Sequence, residues 1–85
     1  MALSLKAGNT VFVTAGELQE WFEKSKPGDL ITYAVGTLTS RKSDSIELTA
    51  VARMARLWSE DGRVDLVQRR RGVDSYEYIA IRKNY

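Results

Sequence analysis

The sequence predicts a single α+β domain, with two helices packed on a small antiparallel sheet. Three observations carry this reading. First, residues 43–62 (SDSIELTAVARMARLWSEDG) bring in Ile46 and then repeat Leu48, Val51, Ala52, Ala55 and Trp58 at helical spacing. One face of a helix is therefore apolar. Second, residues 14–17 (TAGE) carry the start signal of another helix. Third, residues 63–68 (RVDLVQ) and 75–82 (SYEYIAIR) show strand-like alternation and are joined by a short segment containing glycine. Such a pair reads as a hairpin. A chain of 85 residues buries roughly 60–65% of its surface, enough for one core.

Residues 1–10 alternate Leu3 and Leu5 with polar neighbours. They read either as a short strand closed by a Gly8-Asn9 turn or as a frayed terminus. Val11, Phe12 and Val13 are an apolar lead into Thr14. Thr14 followed by Glu17 forms a capping box, in which hydroxyl and carboxylate each accept from the other residue's backbone N–H. Val13 and Leu18 are then the hydrophobic staple. Leu18, Trp21 and Phe22 form the inner stripe, with Glu17, Glu20 and Glu23 outside and Lys24 and Lys26 near the end. This helix is expected over 15–25. Lys26-Pro27-Gly28-Asp29 stops it, because proline cannot continue a helix and Pro-Gly favours a turn.

Residues 30–35 (LITYAV) are β-branched and aromatic, and read as a strand. Residues 36–44 (GTLTSRKSD) are polar, with Leu38 as a plug into the core. A short helical turn at 37–42 suits them better than a full helix. The central helix starts at Ser45 or Ile46, where Asp44 with Glu47 is a variant of the capping box. Glu60-Asp61-Gly62 ends it, with Gly62 as the left-handed cap. Residues 69–74 (RRRGVD) form the hairpin loop and put three consecutive arginines at its tip.

Composition narrows the chemistry. There is no cysteine and no histidine. Disulfides and the commonest ligands of zinc, iron and copper are missing, and no cofactor is expected. The carboxylate pairs Glu60-Asp61 and Asp44-Glu47 sit at helix ends without a nucleophile or phosphate-cradling loop, so the chain is not expected to be an enzyme. No apolar run approaches the roughly 20 residues of a membrane span, and the first ten residues lack the apolar centre of a signal peptide. A cytoplasmic protein is expected.

The net charge is only +2, but it is unevenly distributed. Residues 1–40 carry three lysines against four carboxylates. Residues 41–85 carry ten lysines and arginines against seven carboxylates, including all eight arginines. Arginine is the better fork for phosphates and base edges. Two clusters follow. Thr49, Arg53 and Arg56 fall three and four apart on the polar face of the central helix, where they can reach a groove or pair with Glu47, Glu60 or Asp61. Arg69, Arg70 and Arg71 repel one another unless an anion meets them, or else serve as a solubilising turn. Arg41 and Lys42 stand just before the central helix. Trp21, Phe22 and Trp58 lie on the apolar helix faces and belong to the core. Tyr76 and Tyr78 share a parity and are expected with Tyr33 on the outer sheet face, as a cover, a dimer contact or a stacking surface for bases.

EWFEKSKPGDLITYAVG, ELTAVARMARLWSEDGRVDLVQRRR and YEYIAIRK together resemble winged helix-turn-helix domains. ARLWSEDGRVDLVQRR looks like that family's recognition helix running through a glycine turn into its first wing strand. The chain is also similar to small bacteriophage and prophage proteins with the cadence PGD–strand–G and a QRR…Y-Y-A-R ending. The resemblance spans residues 14–83. The family places a further helix before the recognition helix, where this chain has the short polar GTLTSRKSD. The resemblance implies a double-stranded DNA-binding regulatory protein, with Thr49, Arg53 and Arg56 in the groove and Arg69, Arg70 and Arg71 as the wing. The alternative is a protein-interaction module, such as a phage inhibitor or adaptor, that meets an acidic partner with the same basic surface. Neither reading involves a membrane, and a homodimer is compatible with both.

Overall fold

The computed structural model describes residues 3, 5–7, 10–36, 46–73 and 75–83. Among them are two helices and five strands, in the order β1 (Leu5–Ala7), β2 (Thr10–Phe12), α1 (Ala15–Lys24), β3 (Leu30–Gly36), α2 (Ile46–Glu60), β4 (Val64–Gly72) and β5 (Ser75–Arg82). The strands make one antiparallel sheet ordered β1-β2-β3-β5-β4. The segment carrying Leu38, Arg41, Lys42 and Asp44, with the expected helical turn at 37–42, lies outside the described residues.

Local chemistry sets the helix ends. Thr14 Oγ1 accepts from the Glu17 N–H at 3.0 Å, and Glu17 Oε1 accepts from the Thr14 N–H at 2.9 Å. Val13 and Leu18 are both fully buried beside this box, as a hydrophobic staple requires. After α1, the Asp29 N–H donates to the Lys26 carbonyl at 2.9 Å across Pro27 and Gly28, whose φ is 94°. Proline first and positive-φ glycine second is the chemistry of a type II turn. The turn is fastened to the end of β5 by Gly28 N–H to Arg82 C=O at 2.8 Å and Arg82 N–H to Asp29 C=O at 2.7 Å. At the end of α2, the Arg63 N–H reaches the Trp58 carbonyl at 2.9 Å and the Gly62 N–H reaches the Ser59 carbonyl at 3.0 Å, with Gly62 at φ 75°. This pair of bonds is a Schellman motif.

The core lies between the helices and one face of the sheet. Leu48, Val51 and Ala55 of α2 and Leu18 of α1 join Phe12, Ile31, Tyr33, Ala34, Val64, Tyr78 and Ala80. Registers Ile31↔Ala80, Ala34↔Tyr78 and Phe12↔Ala34 put these strand residues on the same, inner face. Tyr33 occupies the irregularity between Thr32 and Ala34. Ile79 belongs to the opposite parity, opposite Thr32 and Val67, and is buried on the outer face.

Two expectations are corrected and one alternative is decided. Of the two readings of the N-terminal residues the strand is found: Leu5–Ala7 pairs with β2, and β2 pairs in turn with β3. Tyr33 and Tyr78 are not outer-face residues. They are buried in the core, with ring centroids 6.4 Å apart. Both parities of β5 are apolar, and the helices cover the tyrosine side. Trp21, Phe22 and Trp58 are half-buried rather than central. They pack at the rim of the core, where Phe22 stacks on Trp58 at 4.1 Å and 13° and carries the Arg82 guanidinium 4.0 Å above its ring.

Candidate nucleic-acid interface

Burying Leu48, Val51 and Ala55 turns the remaining face of α2 outward. Arg53 and Arg56 are exposed, Thr49 is half-buried, and with Ala52 they line a shallow hollow of about 240 Å³. Arg56 Nε stands 3.9 Å from Glu60 Oε2, with both side chains largely exposed. Such a pair contributes little and is readily exchanged for another anion. Glu47 does not turn to the arginines. Its Oε1 accepts from the Ala15 N–H at 3.3 Å and ties the start of α2 to the start of α1. Arg53 forms no ion pair among the described residues.

The second cluster is built differently from the expectation. Arg69, Arg70 and Arg71 are not at a free loop tip, because β4 runs on to Gly72, and Gly72 pairs with Ser75. Only two residues of the chain separate that pair. The physical reason is the partner strand: Arg69 finds Glu77 opposite it and Arg70 finds Tyr76, so pairing continues through the charged run. Strand alternation then separates the arginines. Arg70 shares its side with Tyr76 and Tyr78, the side that carries α2. Its Nε donates to the Gly72 carbonyl at 3.2 Å. Arg69 points the other way, with Nη1 3.6 Å from Glu77 Oε1. Arg71 falls at the register irregularity between Arg70 and Gly72. It lines a cavity of about 410 Å³ with Glu77, Thr32 and Val35.

Glu77 is the residue that sequence reading passed over. Its side chain is only 19% exposed, and it accepts from Thr32 Oγ1 at 3.3 Å as well as meeting Arg69. Counting back from the Gly72–Ser75 pair would set Glu77 opposite Arg70; the irregularity at Arg71 moves it opposite Arg69, so this pairing needed the structure. Burial also acts on Tyr33, whose phenol is pushed up to about 12 by desolvation first and by the neighbouring Tyr78 second. Among the described residues, no three carboxylates gather as a metal site. No described helix is long and apolar enough to cross a membrane. Arg41 and Lys42 lie outside the described residues.

Comparison with family models, with curated proteins and with solved structures finds no match to this chain.

Proposed function

We propose that this protein binds double-stranded DNA in a winged-helix manner, with the outward face of α2 in a groove and the β4–β5 hairpin as a wing along the backbone. The observation that carries the reading is the shared side of the sheet: Arg53 and Arg56 face outward from α2, and Arg70 stands on the face that bears α2. In this reading Arg53 and Arg56 fork to base edges or phosphates, and Thr49 adds a hydroxyl contact. Arg70 is the leading phosphate contact of the wing. Arg69 and Arg71 stand on the far side of a narrow hairpin and reach phosphates only where the wing enters a groove. Arg41 and Lys42, just before α2 in the chain, add charge at its start. The resemblance to small phage and prophage proteins favours a regulatory role in a phage or bacterium.

Fluorescence anisotropy with unrelated duplexes at two salt concentrations tests this. Binding is expected at low salt and should fall steeply as salt rises, because each neutralised phosphate releases counterions. No binding at low salt, together with retention on an acidic protein, would replace DNA with an acidic protein partner.

A further inference from the structure

β4 closes the sheet on one side, and its outer edge meets no other strand among the described residues. An edge of this kind presents a row of unused N–H and C=O groups and is a template for another strand. Short edges, bulges and charges normally blunt it. Here the regular ladder is long, running from Val64 to Arg70 before the irregularity at Arg71. Leu66 and Val67 stand 38% and 41% exposed along it.

The charges on this edge have a pattern as well as a sign. Asp65, Val67 and Arg69 alternate onto the outer face, opposite Ile81, Ile79 and Glu77. Val67 is the midpoint of the regular stretch. An antiparallel copy centred there sets Val67 against Val67 and places each Asp65 opposite the Arg69 of the other copy. Directly opposed unlike charges stabilise an antiparallel pair and like charges oppose it. Asp65 already meets Lys83 at 3.5 Å and Arg69 meets Glu77 at 3.6 Å, but Asp65 and Arg69 remain 62% and 72% exposed. A guanidinium has five donors and can serve two carboxylates. A register one residue away in either direction breaks the Val67 pair and both Asp65–Arg69 pairs.

We propose that β4 is a homodimer seam, joining two copies of this chain edge to edge into one continuous ten-stranded sheet through the Asp65–Val67–Arg69 row. The inference goes beyond DNA binding and does not depend on it. It has a geometric consequence. Opposed residues in an antiparallel pair point to the same side, so the two-fold axis is perpendicular to the sheet and both α2 helices lie on one side of it. The seam uses Arg69 on the outer face and leaves Arg53, Arg56 and Arg70 open on the other. If the chain also binds DNA, its sites are palindromic.

Sedimentation velocity on the full chain, from micromolar concentration upward, tests the seam. The expected result is a species of twice the 9.6 kDa chain mass that forms with rising concentration. Asp65→Arg and Arg69→Asp, each checked for folding by its melting curve, should each weaken self-association at least tenfold. Mixing the two variants should restore a dimer, because every Arg then meets an Asp across the seam. A wild type that stays monomeric at all concentrations would overturn the proposal. So would single variants that dimerise like wild type, or two folded variants that do not associate when mixed. None of these outcomes depends on whether the chain binds DNA.

Discussion

The two ends of the β4–β5 hairpin differ sharply. Toward one end Val64 is 1% exposed under α2, and on β5 Ala80, Ile79 and Tyr78 are buried opposite Leu66, Val67 and Gln68. At the other end every β4 residue from Asp65 to Gly72 is exposed, and Ser75, Tyr76 and Glu77 are half-buried. The same pair of strands is thus a floor for the core and then an arm beyond it. Apolar contacts concentrate where α2 crosses; arginines concentrate where it does not. The difference separates expected roles: substitutions at the covered end should act on stability, and under the proposed function substitutions along the arm should act on binding.

The largest effect that should separate the two ends comes from the covered side. Phe12→Ala empties one of the largest fully buried positions and should cost about 3–5 kcal/mol, read as a lower denaturation midpoint. That approaches the whole reserve of so small a domain. A midpoint close to wild type would mean that the core does not extend to β2.

The next effect is set by pH. Below pH 10 both the folded and unfolded chains hold the Tyr33 proton, and stability is unaffected. Above it the unfolded phenol ionises, while burial keeps the folded one protonated up to about 12. Stability should therefore fall between pH 10 and 12, by about 2–3 kcal/mol from this group. Alkaline melting curves of wild type and Tyr33→Phe check it: the variant should lose less stability across that window, and parallel curves would place Tyr33 in water.

What the sequence made legible is local. Thr14 and Glu17, Pro27 and Gly28, and Gly62 each act within a few residues of themselves, and each appears where its chemistry requires. What it hid is non-local. β5 carries apolar residues on both parities, so nothing in SYEYIAIR says that Tyr78 faces the helices and Ile79 does not. The run Arg69-Arg70-Arg71 looks like a loop when read alone and becomes a strand only through Glu77 and Tyr76 opposite it. β2 is three residues long, too short for a periodic signal, and its place in the sheet depends on β3. For the candidate site, the outward turn of Arg53 and Arg56 was readable from α2 alone, whereas the splitting of the β4 arginines to two sides needed the register.

Smaller effects sharpen the contrast. Thr14→Ala should cost about 1 kcal/mol by removing one half of the capping box, and a melting curve like wild type would mean that the box does not hold the start of α1. Smaller still, Arg70→Ala should change stability by no more than about 0.5 kcal/mol, since the side chain is exposed on the arm. A larger loss would show the arm to be part of the folding unit.

The central claim is that the face of α2 and the arm of β4 meet DNA in different ways. Its most direct test is the salt dependence of anisotropy on two duplexes, one selected from a random pool and one unrelated. The variants are Arg53→Ala and the triple Arg69→Ala, Arg70→Ala, Arg71→Ala. Arg53→Ala should cost roughly 1–3 kcal/mol on the selected duplex and little on the other. The triple variant should weaken both duplexes alike and flatten the log–log slope by about 0.9 for each phosphate that it no longer neutralises. Wild type that binds neither duplex at low salt, or an Arg53→Ala variant that weakens both duplexes equally, as the triple variant does, would contradict the account.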